Sequence, residues 1–362
     1  MFDGAASRNI QPLYVDIELT TNYILTVQKQ SGEIPWYNGG KTDPWDHVES
    51  AMGLSIGGYS RDARRAYFWL ANNQLRDGSW WAEYENGKPK NGTYKDTNMS
   101  AYIAVGVLHY YMMTGDRSFV KDLWPTVCQA INFVLNHQGP EGQIYWSESA
   151  DGSIEKRALL TGSSSIFMSL SCAVRLMSIV GDKQPHWEAA RLKLAQAIRT
   201  CPHVFDQSKS NFSMDWYYPV LCGVLTGKAA HERIDSQWDK FAITNWGIRC
   251  VSERPWVTMA ETCELIMALV SIGRICLAEE ILGWIKDNQY MNGAFWMGVT
   301  VPDKIIYTDE PTTWTGAAVL LASDLIYGLT PASSLFMHDY LKSHRYMYRL
   351  DSVKQHHHLY RN

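Results

Sequence analysis

Apolar and polar positions fall into two kinds of segment that alternate along the chain. In Trp187-Glu-Ala-Ala-Arg-Leu-Lys-Leu-Ala-Gln-Ala-Ile, apolar residues recur at three- and four-residue spacing, the period of a helix with one buried face. Similar mixed-face segments predict helices over 14–28, 61–74, 119–137, 187–200, 229–241 and 277–289. Between them lie segments poor in charge and rich in small residues, at 45–57, 97–115, 163–180, 215–227, 259–273 and 312–328. A helix that is apolar all round belongs inside, and an amphipathic one belongs outside. Alternating the two kinds predicts an all-α (α/α)6 toroid, an inner ring of six helices within an outer ring of six, as one domain over residues 1–342. The segment 343–362, with its His356–His358 run, breaks the pattern and is expected to be a flexible tail.

The turns carry a weak internal repeat. Gln30-Ser-Gly32-Glu-Ile-Pro-Trp36, Gln74-Leu-Arg-Asp-Gly78-Ser-Trp80, Gln138-Gly-Pro-Glu-Gly142-Gln-Ile-Tyr-Trp146 and Gln289-Tyr-Met-Asn-Gly293-Ala-Phe-Trp296 share a Gln at a helix end, a Gly in the turn and a following aromatic. Gly supplies the left-handed backbone that closes a last helical turn. Asp215-Trp216 and Pro255-Trp256 stand where two more copies are expected. With Arg65-Ala66-Tyr67-Phe68-Trp69-Leu70 before Gln74, Gly78 and Trp80, the second turn resembles the QW repeat of squalene-hopene cyclases and their prenyltransferase-like relatives. The six-hairpin pattern over residues ~14–340 is equally similar to six-hairpin glycosidases. Both resemblances imply the double ring, and neither alone fixes the chemistry.

Composition narrows the function. The 362 residues carry a net charge of -4, which argues against nucleic acid, since phosphate binding needs concentrated Lys and Arg. The charge-free stretch 97–115 contains Asn98, Ser100 and His109, costly in lipid, so it reads as a buried helix and no transmembrane segment is expected. Neither a secretory signal nor a CxxC pair is visible, and seven scattered cysteines suit a reduced, cytoplasmic compartment. Fifteen Trp and twenty Tyr provide flat faces for stacking on sugar rings or enclosing a cation.

In a toroid the inner helices begin at one mouth, so residues leading into them converge. Acids at those starts are Asp43 with Asp46, Asp96, Asp215, Glu261 with Glu264, and Asp309 with Glu310; the third start carries Arg157 and Ser163–Ser165 instead. Each acid taken singly has helix capping as its ordinary role. Trp45, Trp216, Trp256 and Trp314 lie beside them, however, and capping does not call for indoles. The expected function is therefore a glycan-processing, glycoside hydrolase-like enzyme, with one carboxylic acid protonating the leaving oxygen and one carboxylate acting opposite. Candidate catalytic residues are Glu261, whose helix should bury it and raise its pKa, with Glu310 or Asp96 as base, then Asp215 and Asp46. Candidate substrate-binding residues are Trp36, Trp81, Trp146, Trp216, Tyr217, Trp256, Trp296 and Trp314 as platforms, with His47 and Arg249 for hydroxyls.

An isoprenoid-handling enzyme is the alternative, although the D-x-D-D acid motif of the cyclases is missing: Thr93-Tyr94-Lys95 precede Asp96. A noncatalytic sugar- or lipid-binding module also stays open. Asp215, Cys222 and His231 lack the spacing of a prenyltransferase zinc site, and neither metal nor cofactor is expected. The expected partner is a small-molecule oligosaccharide or glycoside.

Overall fold

The computed structural model describes residues 15–338, and the expected tail lies outside the described residues. Helices α1 (Ile17–Val27), α2 (Pro44–Ile56), α3 (Ser60–Asn73), α4 (Thr97–Ala101), α5 (Ile103–Thr114), α6 (Arg117–Leu135) and α7 (Leu160–Val180) make up the first half. The second half holds α8 (Pro185–Thr200), α9 (Ser213–Leu221), α10 (Gly227–Ser236), α11 (Trp238–Phe241), α12 (Met259–Ser271), α13 (Ile275–Ile285) and α14 (Thr313–Tyr327). The inner ring runs α2, α4–α5, α7, α9, α12, α14 and closes where α14 packs on α2. Outside it lie α1, α3, α6, α8, α10–α11 and α13, each against its own inner partner.

The two rings match the two hydrophobic patterns. From Met259 to Val270, α12 is buried on every side, and from Thr315 to Leu325 so is α14. By contrast, α3 buries only Ala63, Ala66, Tyr67, Trp69 and Leu70. The longest apolar helix, α7, has the length and hydropathy to cross a bilayer, and here it packs between α5 and α9 in the inner ring. The charge-free stretch 97–115 is likewise inner ring, broken into α4 and α5 at Tyr102.

Chain direction alternates between rings, so all inner helices start at one face. Connections on the opposite face are short: 57–59, 115–116, 181–184, 222–226 and 272–274. Those at the mouth are long: 28–43, 74–96, 136–159, 201–212, 242–258 and 286–312. They carry short antiparallel strands, including a four-stranded sheet over Ala242–Ile243, Gly247–Arg249, Trp256–Thr258 and Gly298–Thr300. The rings are thus all-α, and the rim adds β-structure that helix periodicity does not reveal.

The Gln–Gly repeat turns out to fasten one hairpin to the next. The Gln74 amide donates to Gly78 O and to Thr126 O on α6. Gln138 does the same to Gly142 O and Ala190 O on α8. In the first turn the bridging residue is Gln28, not Gln30, reaching Gly32 O and Asp62 O. Gln289 bonds Gly293 O and Thr20 Oγ1 on α1, joining the last hairpin to the first. Each glycine abuts the neighbouring helix: a Cβ would lie 2.3 Å from Arg65 O at Gly32, 2.2 Å from Gln129 O at Gly78, 2.5 Å from Lys193 O at Gly142 and 2.3 Å from Leu19 O at Gly293. The two other expected copies are absent. Asp215 and Trp216 lie within α9, and Trp256 opens a strand.

Candidate active site

The mouth is stitched from one hairpin to the next through backbone groups that an isolated helix would leave unpaired. The first N–H groups of a helix have no internal acceptor. Here Thr97 N donates to Trp146 O, Ser213 N to Cys250 O, Met259 N to Met297 O and Thr313 N to Trp36 O. Each bond ties the start of an inner helix to the rim loop of the following hairpin, and the last returns to the first. The starts are thereby held around a shared hollow.

The hollow has two tiers, because residues three or four apart share one helix face. On α2, Asp46 lies one turn above Glu49; on α12, Glu261 lies one turn above Glu264. The lower tier is a buried lattice of carboxyls and ring donors. Glu49 Oε1 accepts Trp45 Nε1 at 2.9 Å and Tyr102 OH at 3.2 Å. Glu264 accepts the hydroxyls of both Tyr217 and Tyr218. Burial raises the pKa of Glu49, and burial followed by the charges of Glu49 and Glu261 raises that of Glu264. Glu49 lies near enough for its charge to raise the pKa of Glu264, and water-poor surroundings favour the protonated form of both acids.

In the upper tier Asp43 caps α2, its Oδ1 accepting Asp46 N at 2.9 Å and its Oδ2 accepting Trp36 Nε1 at 2.7 Å. Burial, then Asp43, pushes Asp46 well above the usual carboxylate range, with Glu49 adding to the effect and Lys41 opposing it. Asp96 caps α4 through Met99 N at 3.0 Å and accepts Trp146 Nε1 at 2.7 Å; burial lifts its pKa to about 6. Glu261 sits in the first turn of α12, 8% exposed, and its Oε2 is buried with no hydrogen-bond partner among the described residues. The Cys250 thiol lies against it, pushed up first by burial and then by the Glu261 charge. Between α2 and α12 stands α14, whose Trp314 meets Trp36 edge to face at 5.8 Å and has a buried, unpartnered Nε1. An unpaired buried polar atom is costly; Glu261 Oε2 and Trp314 Nε1 are a buried acceptor and a buried donor left unpaired among the described residues.

The structure brings Asp46, Asp96, Glu261, Trp36, Trp146 and Trp314 to these inner-helix starts. Several other candidates stand elsewhere. His47 is fully buried on the outer side of α2, one ring nitrogen accepting Ile34 N and the other meeting Ala66 O, so no nitrogen is left for a sugar hydroxyl. Asp215 accepts the N–H and hydroxyl of Thr161, tying α9 to α7. Trp216 is a core residue, 1% exposed, stacked on Phe241 and donating to Arg233 O. Tyr217 is fully buried and belongs to the floor rather than to a stacking platform. Glu310 lies in the 286–312 loop, accepting Tyr37 OH and Thr308 Oγ1, a rim bridge between the last and first hairpins. Arg249 donates to Lys240 O. Trp81, Trp256 and Trp296 are half-buried in rim loops; Trp256 donates to Tyr307 O, and Lys95 and Lys304 lie over Trp81 and Trp296. Sequence reading missed Glu49, Tyr102 and Tyr218. Of the three, Glu49 alone carried a signal, its spacing of three residues from Asp46 on the same helix face.

Among the described residues, no cluster of His, Cys, Asp and Glu has the arrangement of a metal site. No family model matches the chain. It is 44% identical over 317 residues, 88% of each chain, to the MMP endo-(1,4)-3-O-methyl-α-D-mannosidase of Mycolicibacterium hassiacum. Among solved structures it resembles a glycosidase variant in complex with glucose, with a TM-score of 0.66 at 13% identity, covering 87% of this chain and 96% of that one. A GH63 mannosylglycerate hydrolase from Thermus thermophilus in complex with Tris and D-glycerate gives 0.67 at 10% identity, covering 84% and 99%. At such identities these structures speak for the toroid alone.

Proposed function

The chain belongs to the family of the Mycolicibacterium hassiacum endo-mannosidase and is a glycoside hydrolase; from that premise we propose that it cleaves internal (1,4) linkages of 3-O-methyl-α-D-mannose chains, with Asp46 and Glu261 as its carboxyl pair. The observation that supports this reading is the placement of two acids on α2 and α12, the inner helices that flank α14, one with its pKa raised by burial and the other with a buried, unpaired oxygen. Burial and the neighbouring Asp43 favour the protonated form of Asp46, which serves as general acid to the glycosidic oxygen, while Glu261 acts on the opposite face of the sugar. The C–O bond breaks as the Asp46 proton reaches the leaving oxygen, and water supplies the hydroxyl of the new reducing end. Asp43 holds Asp46 in place and anchors Trp36, so acid and aromatic face share one support.

An internal cut requires the sugar chain to continue on both sides of the pair. Trp36, Trp81, Trp146, Trp256 and Trp296 stand in five different rim loops, and flat indoles suit stacking on successive rings. The isoprenoid alternative loses its ground, since the relative 44% identical over 88% of the chain is a mannosidase. A cytoplasmic site of action is supported by seven free thiols. The test is product analysis on a 3-O-methylated (1,4)-α-oligomannoside. Internal fragments are expected from the wild type and none from D46N or E261Q; monosaccharide released from one end, or full activity in either variant, would overturn the assignment.

A further inference from the structure

The first turns of α4 and α9 are buried except for one residue each. On α4 that residue is Met99, and on α9 it is Met214; both are half-buried, while Asn98, Ser100, Ser213 and Asp215 around them are buried. Met99 lies three residues before Tyr102, whose hydroxyl reaches Glu49, and Met214 lies three and four before Tyr217 and Tyr218, which reach Glu264. Helical spacing puts each methionine on the same face as those tyrosines, one turn higher. That is the level of Asp46 and Glu261. The upper tier thus sets two thioethers at the level of two carboxyls.

We infer that Met99 and Met214 are the specificity-determining residues of this enzyme, forming the surface on which the methyl ethers of its substrate pack. The inference rests on the substrate reading above and deepens it. A sugar hydroxyl placed on a thioether finds only a weak acceptor and leaves its donor unmet, whereas a methoxy group brings no donor and buries a methyl. Methionine is unbranched and adaptable, which suits a methyl group recurring along a polymer better than a rigid pocket would. From the burial of one methyl and the avoidance of one unmet hydroxyl, a preference of about tenfold or more is expected for each ether seated.

The test compares kcat/KM on a 3-O-methylated (1,4)-α-oligomannoside and on the unmethylated chain of equal length, for wild type, M99Q, M214Q, M99L and M214L. Gln keeps the length of Met but offers an amide. The wild type should favour the methylated chain at least tenfold. The Gln variants should lose most of that ratio, chiefly through a higher KM for the methylated chain, and the Leu variants should keep it. If a Gln variant fails to fold by thermal unfolding, M99S and M214S replace it, with the same loss of preference expected. A ratio unchanged in the polar variants, even with both rates lowered, would overturn the role of the methionines. So would a wild type equally active on both chains, which leaves the mannosidase reading intact. A wild type inactive on both overturns the substrate reading itself.

Discussion

Replacing Gly293 with Ala probes the contact that closes the toroid. Gly293 has φ +91°, and an added Cβ would lie 2.3 Å from Leu19 O on α1, far inside van der Waals distance. Holding Ala in the left-handed region costs roughly 1–2 kcal/mol. Pushing α1 away adds about 1–3 kcal/mol, the usual penalty for overpacking. The shift also disturbs the Gln289 amide, which donates to Gly293 O at 2.9 Å and Thr20 Oγ1 at 3.0 Å, and each such bond is worth about 1 kcal/mol net. The expected loss is about 3–5 kcal/mol, a large part of the stability of an ordinary domain. Gly181→Ala is the control, because Gly181 closes α7 at φ +79° with nothing within 4 Å of a Cβ; it should lose only about 1–2 kcal/mol. Urea unfolding of the two variants against wild type measures the gap, expected at about 2–3 kcal/mol. Equal losses would refute the reasoning, since backbone conformation alone, and not close approach to α1, would then account for the glycine.

Four further outcomes are expected. Glu261→Gln should lower kcat/KM by at least about a thousandfold while leaving thermal unfolding nearly unchanged; a large unfolding shift with intact turnover would make Glu261 structural. As the proposed general acid, Asp46 would work only while protonated, so kcat/KM should fall as pH rises through its raised pKa, and a flat alkaline side in a pH–rate profile would exclude it. Asp324, 2% exposed and bonded to Thr330, is raised by burial to about 6 from 3.8. Between those values the folded state binds more protons than the unfolded one, so its contribution is full below about pH 4 and lost as pH rises through about 6, up to about 2–3 kcal/mol. Denaturant unfolding from pH 4 to 7 should show that decline in wild type and a shallower one in D324N. Finally, Gln74→Leu should cost about 2 kcal/mol by removing the bonds to Gly78 O and Thr126 O, whereas Gln30→Leu, outside the fastening position, should stay within about 0.5 kcal/mol in the same assay.

The double ring was written in the chain because hydrophobic periodicity is a local property: an all-round apolar helix has only the inside to go to, and the repeated Gly, with the Gln of three of the four turns, marks where two hairpins touch. Chemistry at the mouth was only partly legible. The acids at the inner-helix starts could be named, but a cap and a catalyst look the same in sequence, and only packing shows that Asp215 is held by Thr161 while Glu261 Oε2 is left open. His47 read as a sugar ligand because nothing local reveals that both nitrogens are taken by Ile34 and Ala66. Asp46 and Glu261 are more than two hundred residues apart, and closure of α14 onto α2 brings their helices to the same hollow. Sequence determined the kinds of helix and their order; ring closure, a matter of long-range packing and of which polar atoms it leaves unpaired, decided which side chains share the site.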